Sequence, residues 1–317
     1  MNKRAFYFLV LILVYWPATS VQAGIFTIPD WLQKSCVFIM KDSNEAMGTG
    51  FLVWLKDQEF KFCYLVTAKH VIVPVLSDPN VLLLLRFNLK EKGKARIITF
   101  PTYTFSGLRW LQHKNPSIDI AAIPLTIFDQ IQVLEIGGHM VEDVNSDFWA
   151  TSNWLKKYNV GIGDQVFTLG LVPYLYSSDQ VNLVLSRFGN ISLLLQEEIY
   201  LPGGRQKAYF LDCQAFGGNS GGPAFVLIER SESGGATLGG WRFALLGVVT
   251  EFVPSPLRTV EVNSQEANQK KGIQLIENTG ISKVVPVDYL MDILFSEQQK
   301  TFREDLIKTA RKNPPPN

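Results

Sequence analysis

Phe216-Gly217-Gly218-Asn219-Ser220-Gly221-Gly222-Pro223 is the stretch that decides the fold. A serine flanked this closely by glycines sits where the backbone turns sharply and can approach a substrate with no side chains in the way. In such a loop the amides of Gly218 and Ser220 can point into one small volume, which a carbonyl oxygen gathering negative charge requires. A serine hydroxyl is too weakly acidic to attack unaided, so this reading demands a base elsewhere in the chain. The bland alternative is a glycine-rich hairpin whose serine is incidental.

Two stretches supply partners. His70 ends the apolar, β-prone run Leu65-Val66-Thr67-Ala68-Lys69-His70-Val71, and Asp119 lies inside Ser117-Ile118-Asp119-Ile120-Ala121-Ala122-Ile123. A carboxylate within so apolar a strand is costly unless something pairs with it. A histidine ring that becomes cationic during proton transfer is such a partner. The order His70, Asp119, Ser220 is that of chymotrypsin-type enzymes and differs from the orders in subtilisins and α/β-hydrolases.

With these residues the chain resembles the trypsin-fold serine peptidases, most closely the bacterial exported Deg/HtrA-like branch. The matching pieces are Gly48-Thr49-Gly50-Phe51-Leu52-Val53, Thr67-Ala68-Lys69-His70-Val71, Ile118-Asp119-Ile120-Ala121, Gly163-Asp164-Gln165-Val166 and Gly218-Asn219-Ser220-Gly221-Gly222-Pro223. They cover the chain from about Ser35 to Leu290. The resemblance implies an all-β fold of two six-stranded antiparallel β-barrels with the active site in the cleft between them. His70 and Asp119 come from the first barrel and Ser220 from the second, with an oxyanion hole of Gly218 and Ser220. By the same likeness Gln214 floors the specificity pocket, Thr250, Glu251 and Phe252 pair with the substrate backbone, and Phe252 stands where trypsins keep glycine. No metal or organic cofactor is implied. Trypsins that mature from zymogens carry aspartate before the nucleophile, and this chain has Asn219. Too little chain follows Leu290 for the PDZ domain of many Deg/HtrA relatives.

The strand pattern agrees with this. From Ser35 to Thr67 apolar and polar residues alternate around two short connections, a β-meander, and further strands are predicted over Val81–Leu89, Ala95–Tyr103 and Asp119–Leu125. Six such strands suggest a closed antiparallel barrel. Residues 128–158 break the pattern as an inter-barrel connection. A second series follows: a strand beginning at Gly163, then Val181–Arg187, Ile191–Leu195, Ala208–Cys213, Pro223–Ile228 and Trp241–Thr250, with the nucleophile between the fourth and fifth. Pro254–Gly272 reads as a polar loop. After Pro286 the apolar positions keep helical spacing, and that helix is expected on the second barrel. The expected domains are residues 1–23 as signal peptide, 24–135 as first barrel, 136–285 as connection and second barrel, and 286–317 as helical segment and tail.

The amino-terminal leader has Lys3 and Arg4, an apolar run from Ala5 to Trp16, and Val21-Gln22-Ala23 ahead of Gly24, the pattern of a cleaved signal peptide. Its apolar run is shorter than the ~20 residues that span a bilayer. Export to a bacterial periplasm or the extracellular space is expected, with no stable membrane span after cleavage. The net charge of +1 gives no field that favours nucleic acid. Cys36, Cys63 and Cys213 are an odd number; Cys36 and Cys63 either bridge neighbouring strands or stay buried as thiols. A catalytic thiol at Cys213 has no base motif to serve it. His113 and His139 read as surface histidines, since no second ligand stands at metal spacing.

The function that follows is hydrolysis of a protein or peptide by a serine endopeptidase through an acyl-enzyme. The alternatives are a catalytically silent protease-like binding module and an esterase-type acyl hydrolase on the same triad.

Overall fold

The computed structural model describes residues 26–41, 45–77, 83–91, 93–100, 110–125, 134–138, 140–141, 143–171, 181–230, 240–255, 258–263, 270–275 and 278–312. The leader and His139 lie outside them. In chain order the elements are α1 (Asp30–Gln33), β1 (Cys36–Lys41), β2 (Glu45–Asp57), β3 (Phe60–Thr67), α2 (Lys69–Ser77), β4 (Leu83–Asn88), β5 (Ala95–Phe100), β6 (Leu111–Gln112), β7 (Ala121–Pro124), β8 (Met140–Val141) and α3 (Ser152–Lys157). Then come β9 (Gln165–Leu171), β10 (Val184–Leu194), β11 (Ile199–Leu201), β12 (Gly204–Gln206), β13 (Tyr209–Asp212), β14 (Pro223–Ile228), β15 (Arg242–Pro254), β16 (Arg258–Asn263), β17 (Lys270–Leu275), β18 (Asn278–Pro286), α4 (Val287–Leu294) and α5 (Glu297–Lys312).

The protein is mostly β. The first series forms a sheet ordered β5-β4-β1-β2-β3-β7-β6, with β8 also pairing β2. Among the described residues no β5–β6 pairing closes it. The second series closes into a six-stranded antiparallel barrel, β10-β13-β18-β15-β14-β9. Among the described residues, three of the four hydrophobic clusters carry the two lobes and their junction, and they follow from strand alternation. Leu52, Cys63 and Leu65 fill the first lobe, and Val166, Leu211, Val226 and Leu246 fill the barrel. The opposite faces of the same strands, with Phe51, Val53, Tyr64, Phe167 and Phe225, meet as one core between the lobes. There the Phe167 and Phe225 rings stack at 4.9 Å and Phe243 meets Phe225 edge-on at 5.9 Å. Such pairs each add about 0.5–1.5 kcal/mol beyond the area they bury.

Several expectations need correction. The strands expected over Val181–Arg187 and Ile191–Leu195 are one strand, β10 (Val184–Leu194), whose pairing with β13 slips between Ile191 and Leu193. The nucleophile loop therefore follows the third barrel strand. The sixth strand is β18, a stretch to which the sequence reading assigned no strand. The expected loop 254–272 contains β16 and the start of β17, a two-stranded hairpin. Cys36 and Cys63 cannot bridge, because Cys36 faces the core between the lobes and Cys63 the first lobe's own core. All three cysteines are free and buried.

The carboxy-terminal segment is two helices, and the second docks on the first lobe. Arg303, 5% exposed, donates to Asp57 Oδ2 at 3.2 Å, to the Tyr64 hydroxyl at 3.2 Å and to the Leu294 carbonyl at 2.8 Å. Arg311 reaches Gln58 and Glu59 in the β2–β3 turn. A buried guanidinium has to follow its acid, and Asp57 is in β2. Among the described residues no helix is long and apolar enough to cross a membrane.

Candidate active site

His70 is the second residue of α2, which follows β3 after Ala68, so its position is set by the end of a sheet strand and not by a free loop. Its backbone amide donates to Asp119 Oδ1 at 2.8 Å, and its Nδ1 lies 2.7 Å from Asp119 Oδ2. Both carboxylate oxygens are thereby engaged. A carboxylate beside Nδ1 draws the imidazole proton to that nitrogen and leaves the Nε2 lone pair for chemistry. Asp119 is held by the tight turn Asn115–Ile118. The Asn115 carbonyl accepts the Ile118 amide at 3.1 Å, its side chain accepts the Ser117 amide at 3.0 Å, and Lys69 donates to the Pro116 carbonyl at 2.5 Å. Burial pushes the Asp119 carboxyl up, but the hydrogen bonds from the His70 ring and amide, with the charges of His70 and Lys69, outweigh it and hold the group below its ordinary value.

Ser220 sits in the loop between β13 and β14. Gly218 has φ +95° and Gly221 φ +88°, conformations that a side chain would strain. The Phe216 carbonyl accepts the Asn219 amide at 3.0 Å and the Asn219 carbonyl accepts the Gly222 amide at 3.0 Å, closing two successive turns. Among the described residues the amides of Gly218 and Ser220 have no hydrogen-bond partner, whereas those of Asn219, Gly221 and Gly222 do. Two free amides flanking one residue can receive an oxyanion. The Ser220 hydroxyl donates to the Thr250 carbonyl at 2.9 Å.

His70, Asp119 and Ser220 line one cleft of about 480 Å³ together with Thr250, Glu251 and Phe252. Two other hollows of the surface flank α4 and hold none of these residues. Phe252 is partly buried against the barrel's interior cluster, with Ala215 and Val249 beside it in the cleft. Glu251 carries no free charge into the cleft, since the buried Lys283 ammonium lies 2.6 Å from its Oε1.

Gln214 is not part of this cleft. Inward and outward positions alternate from β13 onward: Leu211, Cys213 and Ala215 are buried and Asp212 and Gln214 are exposed. The pocket wall is Ala215 and Phe216 instead. Cys213 faces the barrel interior, where burial pushes its thiol up, so it offers no thiolate. The Gly163–Val166 motif is structural: Asp164 accepts the Gly161 amide at 2.7 Å and is gripped by the Arg230 guanidinium. His113 is no surface histidine. Its side chain is 6% exposed, its Nδ1 accepts the Asn115 amide at 3.0 Å, and it packs edge-on against Tyr289. The sequence reading missed Thr49 and Lys283 as neighbours of the site. Thr49 stood inside the matching piece Gly48–Val53 without a role, and Lys283 offered no signal.

No protein-family model matches the chain, and no curated protein is similar to it in sequence. Among solved structures it is similar to the crystal structure of the MamO protease domain from Magnetospirillum magneticum in its apo form, at 13% identity and a TM-score of 0.42, over 83% of this chain and 97% of that one.

Proposed function

We propose that the chain is an exported serine endopeptidase, of the Deg/HtrA-like kind its motifs resemble, that cleaves a protein or peptide through an acyl-enzyme. The observation that supports this most is the 2.7 Å contact of His70 Nδ1 with Asp119 in the cleft that Ser220 also lines. In the reaction the Ser220 hydroxyl leaves the Thr250 carbonyl and its oxygen adds to the substrate carbonyl carbon while the proton passes to His70 Nε2. The displaced carbonyl electron pair gathers on oxygen, where the Gly218 and Ser220 amides receive it. Collapse breaks the C–N bond, and the amine departs with the proton from Nε2. Water then adds to the ester by the same route, releasing the acid and restoring Ser220. Asp119 keeps the imidazole in the useful tautomer throughout. The leader, residues 1–23, supports work outside the cytoplasm after its removal. Hydrolysis of a peptide library by the wild type and by Ser220→Ala tests the reading. Hydrolysis that disappears in the variant supports it, and equal hydrolysis by both overturns it.

A further inference from the structure

Thr49 belongs to a motif that the triad does not explain. It is fully buried in β2 of the first lobe, and its amide, hydroxyl and carbonyl are all engaged, the first two against the nucleophile loop of the second. Its amide donates to the Ser220 carbonyl at 2.8 Å. Its hydroxyl donates to the Gly218 carbonyl at 2.6 Å and accepts the Leu171 amide at 3.0 Å. Its carbonyl accepts the Thr67 hydroxyl at 2.8 Å, and Thr67 ends the strand that leads into His70. One residue thus touches the strand before the base and the carbonyls of Gly218 and Ser220, which lie on either side of the peptide unit that carries the Ser220 amide.

The flanking sequence fits so close an approach. A Cβ at Gly48 would meet the Ser220 carbonyl oxygen at 2.8 Å, and one at Gly221 would collide with the Thr49 carbonyl and the Thr67 hydroxyl. From the other side the loop is held by Asn219, 6% exposed, whose carboxamide accepts the Phe216 amide at 2.9 Å and donates to the Leu171 carbonyl at 3.4 Å. Leu171 therefore has its amide on Thr49 and its carbonyl on Asn219, which closes a ring of contacts around Gly218 and Ser220.

We infer that Thr49 is a positioning residue for the oxyanion site: its hydroxyl holds the loop's peptide units so that the Gly218 and Ser220 amides stay free for the developing charge. A buried carbonyl deprived of its donor turns to find another, and turning the Gly218 carbonyl re-aims its neighbours in the loop. The inference rests on the peptidase reading above.

Thr49→Val keeps the shape and removes the hydroxyl, whereas Thr49→Ser keeps the hydroxyl. The full chain is assayed for kcat and KM on a peptide substrate, for pH profile, and for affinity toward a peptide boronic acid, whose tetrahedral adduct places an oxygen where the oxyanion forms. Misplacement of about 1 Å costs about 10²-fold, so Thr49→Val should lose about 10²-fold in kcat and in boronate affinity, with KM changed less than about threefold. The pH midpoints should not move, and Thr49→Ser should stay within about fivefold of wild type. Thr49→Cys, which swaps the hydroxyl for a weakly hydrogen-bonding thiol and omits the methyl, replaces the valine variant if that fails to fold, with a loss in the same direction expected and Thr49→Ser, equally without the methyl, as its control. The inference is overturned by an active wild type whose kcat is indifferent to loss of the hydroxyl, or by serine and valine variants that lose activity alike in step with thermal stability. A wild type inert to both peptide and fluorophosphonate overturns the peptidase reading, and this inference with it.

Discussion

Ser220 and Thr250 share a hydrogen bond of 2.9 Å from hydroxyl to main-chain carbonyl, so the nucleophile occupies the acceptor that the reading above gives to the substrate's own backbone. The hydroxyl and the substrate N–H compete for one oxygen. A substrate that docks there frees the hydroxyl to turn to His70. Replacing the N–H of the residue whose carbonyl is attacked by an ester oxygen removes that competitor without adding bulk. One such hydrogen bond is worth about 1 kcal/mol, so cleavage of the depsipeptide at its scissile amide should fall roughly fivefold in kcat/KM. Cleavage as fast as that of the peptide contradicts the pairing.

Asp119→Asn should lower turnover by about 10⁴-fold, because the carboxamide can present its N–H to the ring and stabilise the wrong tautomer. The pH dependence has a definite sign. The carboxyl's folded value lies below its ordinary 3.8, so its stabilisation is fully present above that value and is lost as pH falls through the lower folded one. Thermal unfolding of wild type and variant, followed from neutral pH downward, should therefore converge only in the acid range below 3.8. Convergence near neutrality contradicts the assignment.

The cleft beside Ser220 is walled by Ala215, Val249 and Phe252, with the charge of Glu251 taken by Lys283. Cleavage should follow small aliphatic residues such as Val or Ala, and not Lys, Arg or Phe. Phe252→Gly should admit larger side chains, and since one methylene changes discrimination by only ~1 to 3 kcal/mol the shift should be graded. Peptide-library profiles of both proteins decide this. Dominant cleavage after Arg, Lys or Phe by the wild type contradicts the pocket assignment.

Arg303 serves stability and not chemistry. Arg303→Met leaves Asp57 without its main partner and should cost roughly 3 kcal/mol, the low end for breaking a buried pair. Denaturant unfolding should show that loss while kcat stays at the wild-type value. A variant as stable as wild type shows that α5 is not held there.

The triad was legible because each member violates a local expectation: an acid within an apolar run, a serine among glycines, a histidine at the end of an apolar run. Its neighbours follow the rules, so nothing in the sequence assigned them a role. Thr49 is a buried threonine in a β-strand, and Lys283 neutralises Glu251 only once β15 and β18 pair with a slipped register. Gln214 was misplaced because likeness fixed its position by counting, whereas strand alternation turns it outward. The docking of α5 was hidden for a different reason. Helical spacing tells which residues are buried, and only Asp57 in a distant strand tells where.

Labelling by a fluorophosphonate probe tests the central claim most directly, because phosphonylation needs an assembled nucleophile and base and no particular substrate. The account predicts one adduct in the wild type, mapped by mass spectrometry to Ser220, abolished by Ser220→Ala and reduced to background by His70→Ala. A folded wild-type protein that takes no label at Ser220, or a His70→Ala variant labelled as fast as wild type, contradicts it.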